Sequence, residues 1–122
     1  MVGELVATAP KHILLVCAGT GTQCASEDTL CAGSIVDELR CGLKVVELTD
    51  SALLAEACGS SGAGKAGRGQ FQLGDGANGR RLLGIEALAG DVNYCAQMMT
   101  HDLLGEMGDD GAVRRAQDDR LG

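Results

Sequence analysis

The chain has 122 residues, enough for a single domain with one hydrophobic core. Hydrophobic residues make up 45% of it, and the aromatic content is only 2%, so that core depends on aliphatic side chains. The net charge of -7 argues against nucleic acid or an anionic membrane as a partner, because both attract basic surfaces. No stretch resembles a signal peptide or a membrane-inserting segment, so we expect a cytoplasmic location.

The first elements of the chain are a lead-in and a strand. Residues 1–10 predict a loose lead-in, and the apolar run from His12 to Val16 is typical of a short, fully buried strand. A loop of small residues over 17–22 follows the strand. Sites in α/β proteins lie at the carboxyl ends of strands, so this loop is the first candidate site.

A helix and a second strand come next. Apolar residues at helical spacing predict a helix over 32–43, which Gly42 is placed to end in the left-handed conformation. A strand over 44–48 and a short helix over 50–57 follow. Strand, helix and strand of this length form a βαβ unit, which favours parallel pairing of the two strands.

The second half of the chain is rich in glycine. A Gly-rich loop over 59–80 is expected, with a weak hairpin that pairs residues near 70–73 with residues near 81–85. A last helix over 91–104 and a mobile tail over 106–122 complete the domain.

Cysteine chemistry is the most specific signal in the sequence. The chain has six cysteines, and a reducing compartment makes a disulfide framework the less favoured interpretation. Cys17 closes the first predicted strand, and Gly19 and Gly21 follow it. Glycines allow backbone N–H groups to turn inward and to stabilise an anion such as a thiolate, a phosphate or a sulfide.

The segments 12–21, 37–47 and 91–115 resemble the thioredoxin-like [2Fe-2S] ferredoxins, which occur alone or as modules of NADH-oxidising subunits. The resemblance is densest at HILLVCAGTG, which is similar to the family's first strand and cluster loop. It implies a small thioredoxin-like α/β sandwich, with a βαβ opening, a weak hairpin and a C-terminal helix. It also implies electron transfer beside a protein partner that binds flavin or NADH.

The same resemblance suggests the ligands of a [2Fe-2S] cluster. Cys17 matches the first ligand, Cys24 or Cys31 the second, and Cys58 the fourth. Leu54 stands where the third cysteine is expected, although such clusters take four protein ligands. The chain is therefore expected either to carry the cluster with an altered ligand set or to have lost it.

Two alternatives remain open at this point. The loop from Cys17 to Thr22 is similar to that of the IIB components of sugar phosphotransferase systems, in which the cysteine that ends the first strand carries a phosphoryl group. That resemblance implies a role for Cys17 alone as the nucleophile. The other alternative is a non-catalytic structural or interaction subunit.

Overall fold

The computed structural model describes residues 1–44, 46–59, 73–97, 100–101 and 103–116. The described α-helices are α1 (Val2–Thr8), α2 (Ser26–Gly42), α3 (Asp50–Gly59), α4 (Ala77–Leu83) and α5 (Ala89–Cys95). A 3-10 turn at Leu73–Asp75 precedes α4. The strands β1 (Gly105–Met107) and β2 (Val113–Arg115) form an antiparallel pair.

The long helix α2 contributes two of the four buried hydrophobic residues of the described core. Val36 and Leu39 are 6% and 4% exposed, and they lie three residues apart on the same face of the helix. The helix begins well before the predicted residue 32, and Glu27 and Asp28 stabilise its first turn through the helix dipole. Its last residue is Gly42, and Leu43 then adopts an extended conformation. The predicted left-handed glycine cap is therefore wrong.

Helix α3 packs directly on α2. A Cβ at Gly33 would lie 2.6 Å from the carbonyl carbon of Ala55, and one at Gly59 would lie 2.5 Å from the carbonyl carbon of Gly33. The absence of side chains at both positions lets the helices approach through their backbones. The Arg40 guanidinium also reaches the Glu56 carboxylate at 2.6 Å. The predicted helix over 50–57 is confirmed, and α3 extends it to Gly59.

The predicted opening strands form no ladder within the described ranges. Residues 12–16 and 46–48 lie outside any strand, and residue 45 lies outside the described residues. Leu14 and Val16 are 86% and 82% exposed, so the predicted burial of this run is wrong. No described sheet covers either face of it. The thioredoxin-like α/β sandwich and its parallel pairing remain a prediction.

The second half of the chain differs from the expected hairpin. The 3-10 turn and α4 occupy 73–83, where the hairpin was predicted, and residues 60–72 lie outside the described residues. Helix α5 ends at Cys95, well before the predicted residue 104. Its Val92 is 7% exposed and belongs to the described core.

The two ends of the chain contain more regular structure than the sequence indicates. The expected loose lead-in contains α1, which packs on the end of α2 near Gly42. The segment predicted as a mobile tail contains most of the β1–β2 hairpin. Within the described ranges, no helix is both long and apolar enough to cross a membrane.

Candidate functional site

The loop that follows Cys17 is a tight turn built on two glycines. Gly19 and Gly21 have φ values of +71° and +61°, a region that glycine occupies without the steric cost borne by other residues. Between them, Thr20 pairs with Gln23 through backbone hydrogen bonds of 2.9 and 3.1 Å. The sequence predicted a loop of small residues here, and the structure shows that Gly19 and Gly21 are the two that adopt the left-handed conformation.

A carboxylate of α2 accepts a hydrogen bond from the backbone of the loop. The Gly19 N–H donates to Asp28 Oδ2 at 2.7 Å. This bond joins the loop to the first turn of the helix and satisfies the Gly19 amide. That amide of the turn is thus already paired with a side chain of the protein itself.

Helix α4 brings a third segment to the same place. The Asn78 side-chain Nδ2 donates to Thr20 Oγ1 and to Glu27 Oε1, both at 2.6 Å. Gly76 allows this approach, because a Cβ there would collide with Ser26 Oγ. We call the assembly of the loop 17–24, the first turn of α2 and residues 76–79 the junction.

Hydrogen bonding determines the ionisation of Glu27. The Asn78 amide is the largest cause of a lowered pKa of the Glu27 carboxyl, followed by the backbone of Glu27 itself, and Ser26 also contributes. Ser26 Oγ donates to Glu27 Oε2 at 3.2 Å, so both carboxylate oxygens accept a hydrogen bond. Partial desolvation acts in the opposite direction. Glu27 is therefore a fixed, ionised carboxylate at neutral pH.

The environment of Cys17 has the opposite effect. Desolvation raises the pKa of the Cys17 thiol, the charge of Asp28 raises it further, and Cys24 and Cys31 act in the same direction. The glycine turn was expected to stabilise a thiolate, but the nearby groups that perturb Cys17 are acidic. The thiol is therefore protonated and weakly nucleophilic at neutral pH.

The four predicted cluster ligands are all exposed. Cys24 and Cys31 are near enough to Cys17 to raise the pKa of its thiol, and Cys58 lies near the end of α3. The Cys24 Sγ contacts Thr29 Oγ1 at 3.2 Å. Leu54, at the position of the missing third ligand, is 70% exposed. Among the described residues, no group of three or more His, Cys, Asp and Glu side chains is placed to hold a metal ion.

Comparison with known proteins identifies the family. The family model of the 2-phosphosulpholactate phosphatases matches residues 1–110. The chain belongs to this family. The match includes the whole junction and extends through α1 to α5. No curated protein and no solved structure gives a significant match to the chain.

Membership of this family corrects the functional predictions. The resemblance to thioredoxin-like ferredoxins is wrong, and so are the [2Fe-2S] cluster, electron transfer and an oxidoreductase subunit as the function. The expected flavin- or NADH-binding partner depended on that resemblance and loses its basis. The phosphotransferase IIB and purely structural alternatives agree no better with a phosphatase family. The misleading feature was the loop with Cys17, because short glycine turns after a cysteine occur in unrelated folds.

Sequence reasoning missed the polar side chains of the junction. Glu27 and Asp28 fall in a segment that was not assigned to a helix, and Asn78 was interpreted as part of a turn. The sequence does indicate a helix start at Glu27 and Asp28, because Ser26 followed by two acidic residues is typical of the first turn of a helix. No local signal links Asn78 to a loop 58 residues earlier in the chain.

Proposed function

We propose that this protein is a phosphatase that hydrolyses the phosphate monoester of a small acidic molecule, such as 2-phosphosulpholactate. The family match over residues 1–110 is the observation that carries the proposal. The junction is the place in the described structure where backbone donors, hydroxyls and an ionised carboxylate meet.

The junction offers donors suited to a phosphoryl group. Helix α2 begins at the loop, its N-cap is Ala25, and no side chain caps it. The Glu27 N–H already donates to its own carboxylate, so the other N–H groups of the first turn and the positive end of the helix dipole are what α2 offers to an anion. Thr20 and Thr22 add hydroxyls from the exposed turn. Amides and hydroxyls in this combination can donate hydrogen bonds to the phosphoryl oxygens.

The proposed chemistry uses water as the nucleophile. The water oxygen attacks phosphorus, the ester P–O bond breaks, and a proton passes to the leaving alkoxide, which gives an alcohol and inorganic phosphate. Glu27 orients the water by accepting one of its hydrogen bonds, while Thr20 and the amides hold the phosphoryl oxygens. Phosphoryl transfer depends mainly on such positioning and on electrostatic stabilisation.

A cysteinyl-phosphate intermediate is not part of this proposal. Desolvation and the acidic surroundings raise the pKa of Cys17, so the thiolate needed for attack on phosphorus is disfavoured at neutral pH. This supports direct attack by water.

The test is release of inorganic phosphate by the purified protein. The substrates are 2-phosphosulpholactate, 2-phospholactate and para-nitrophenyl phosphate, each assayed with added Mg²⁺ and with EDTA. Both arms are needed because Glu27 and Asp28 repel a dianionic ester and a hard cation would offset that repulsion. We expect release from the acidic esters and slower release from para-nitrophenyl phosphate.

Variants connect the activity to the junction. Glu27→Gln should lower kcat at least 10-fold, because a neutral amide orients water less strongly than a carboxylate. Glu38→Gln is the matched control, since Glu38 is an exposed carboxylate farther along α2. The proposal is overturned if none of the three esters releases phosphate in either arm. If Glu27→Gln and Glu38→Gln have equal kcat values, Glu27 does not orient the attacking water.

A further inference from the structure

The Asn78 side chain joins two segments that are distant in sequence. Its Nδ2 donates one proton to Thr20 Oγ1 and the other to Glu27 Oε1, which lie 58 and 51 residues away along the chain. A primary amide is suited to this geometry, because one nitrogen carries two donors at a fixed angle. Each of the two acceptors belongs to a different part of the junction.

These two hydrogen bonds determine which protons the junction offers to a ligand. Because Thr20 Oγ1 accepts from Asn78, the hydroxyl proton of Thr20 is free to be donated to another group. Glu27 accepts through both oxygens, from Asn78 and from Ser26, so its plane is fixed. Hydrogen bonds to a charged group are stronger than neutral ones and resist rotation of the carboxylate.

The backbone around Asn78 holds it in place. A Cβ at Gly76 would collide with Ser26 Oγ, and one at Gly79 would collide with the Leu73 carbonyl oxygen. The missing side chain at Gly79 lets α4 begin against the backbone of the 3-10 turn, and the missing side chain at Gly76 leaves room for the Ser26 hydroxyl in its observed position. Asn78 lies between them and is half-buried.

We propose that Asn78 is a positioning residue of the phosphatase site, acting through Thr20 and Glu27 rather than by contact with the substrate. It directs the Thr20 hydroxyl proton towards the phosphoryl group and fixes the carboxylate that orients the attacking water. This inference rests on the proposed function. It means that a residue of α4, a helix outside the loop, controls the chemistry at the loop.

The first experiment uses the unaltered protein. The ¹⁵N and ¹H resonances of the Asn78 side-chain amide are followed by NMR as a function of pH, together with the ¹³C resonance of the Glu27 carboxyl. We expect both to move with one common midpoint, below that of an ordinary glutamate. The other charged groups on the elements packed here are Asp28 on α2 and Asp75 and Arg80 beside Asn78, and the carboxyl resonances of Asp28 and Asp75 are recorded for comparison.

The second experiment compares Asn78→Ala and Asn78→Asp with Asn93→Ala, a change at an exposed asparagine of the neighbouring helix α5. Asn78→Ala should lower kcat roughly 10- to 100-fold with a smaller change in KM, which is the size expected for loss of hydrogen bonds to a charged group. It should also raise the Glu27 midpoint towards that of an ordinary glutamate, because the largest cause of the lowered pKa is removed. Asn78→Asp should raise it further, because two carboxylates then face each other.

The outcomes separate the two proposals. An inactive wild-type protein overturns the phosphatase function, whereas an active one in which Asn78→Ala keeps wild-type kcat overturns the role of Asn78. An Asn78 amide in the wild-type protein that does not respond to Glu27 titration also overturns that role, even if the variants fail to fold. If Asn93→Ala lowers kcat as much as Asn78→Ala does, the positioning role of Asn78 is also overturned.

Discussion

Gly33 of α2 and Gly59 of α3 touch through their backbones. A Cβ at Gly33 would lie 2.9 Å from the Gly59 nitrogen, and one at Gly59 would lie 2.8 Å from the Gly33 Cα. Within the described structure, this contact joins the middle of α2 to the end of α3. It packs α3 against α2, the helix whose first turn forms part of the junction.

Gly33→Ala is expected to destabilise the protein. The added methyl group meets the Ala55 carbonyl and the Gly59 nitrogen, so α3 must shift, and overpacking of this kind costs about 1–3 kcal/mol. Urea denaturation measures the change in the free energy of unfolding. Gly90→Ala in α5 is the control, because nothing lies within 4 Å of its added Cβ and alanine favours a helix. Equal effects of the two substitutions would contradict the close packing of α2 on α3.

Arg40 and Glu56 provide a second test of the same pairing of helices. The guanidinium Nη1 donates to both carboxylate oxygens at 2.7 and 2.6 Å, and the two side chains are 48% and 15% exposed. A double-mutant cycle with alanine should give a coupling energy of about 0.5–1 kcal/mol, which decreases at high salt. The same cycle between Glu56 and the exposed Arg81 of α4 should give none. A coupling energy that is zero at low salt would contradict the bridge.

The two loop glycines should respond differently to alanine. Both have a positive φ, which costs alanine about 1 kcal/mol, but only at Gly19 would the new Cβ also lie 2.5 Å from a carbonyl oxygen, that of Gln23. Gly19→Ala should therefore lower the phosphatase kcat/KM at least 10-fold, and Gly21→Ala should lower it less. Steady-state kinetics and circular dichroism on both variants check this. A greater loss from Gly21→Ala would mean that the turn differs from the one described.

Cys17 should be dispensable for phosphate release. The raised pKa of its thiol disfavours nucleophilic attack, so Cys17→Ser is expected to keep kcat within about twofold. Cys95→Ser on α5 is the matched control for loss of an exposed thiol. Alkylation of Cys17 by iodoacetamide should be slow at neutral pH and accelerate as the pH rises. Trapping of a phosphorylated Cys17 during turnover would contradict the water mechanism.

The β1–β2 hairpin should be sensitive to acid. Asp110 accepts two hydrogen bonds from the Arg114 guanidinium at 2.9 and 2.6 Å, and this contact, followed by the Ala112 N–H, lowers the pKa of Asp110 to about 2. Because the pKa is lowered in the folded hairpin, the stabilisation is present above the ordinary pKa and is lost as the pH falls towards 2.

Amide chemical shifts of β1 and β2 between pH 5 and about 2 measure this loss, and Asp110→Asn should remove the dependence. Asp109→Asn, at the neighbouring exposed position, should leave it unchanged. A hairpin whose shifts in the wild-type protein are constant over this range would contradict a role for the pair. Both side chains are more than half exposed, so the effect is confined to the hairpin.

Helix α3 and the loop at 17–22 are two features that local sequence signals predicted. The helix was predicted from its own residues, because side chains within one turn of one another determine helix formation. The turn at Gly19 and Gly21 follows from the left-handed conformation that these residues occupy. The location of the functional site in this turn is still a prediction, and the proposed function depends on it.

The apolar run 12–16 shows where local signals fail. Its composition favours a buried strand, yet burial depends on what packs against it, and in the described structure Leu14 and Val16 face no covering layer. The cysteines failed for a similar reason. Their spacing suggested ligands of one cluster, whereas a cluster needs its ligands together in space, and among the described residues no group of three or more His, Cys, Asp and Glu side chains is placed to hold a metal ion.

By itself the sequence determined the helix α3, the glycine turn after Cys17 and the acidic charge of the chain, since each of these depends on neighbouring residues or on composition alone. Only the tertiary structure decided that Asn78 donates hydrogen bonds to Thr20 and Glu27, that Asp28 accepts one from the Gly19 N–H, and that Asp28 lies near enough to Cys17 to raise the pKa of its thiol. The hydrogen bonds of Asn78 join residues more than fifty positions apart, and no periodicity or short motif encodes such a distance. They form because two helices that begin with small residues can bring their first turns together at one loop.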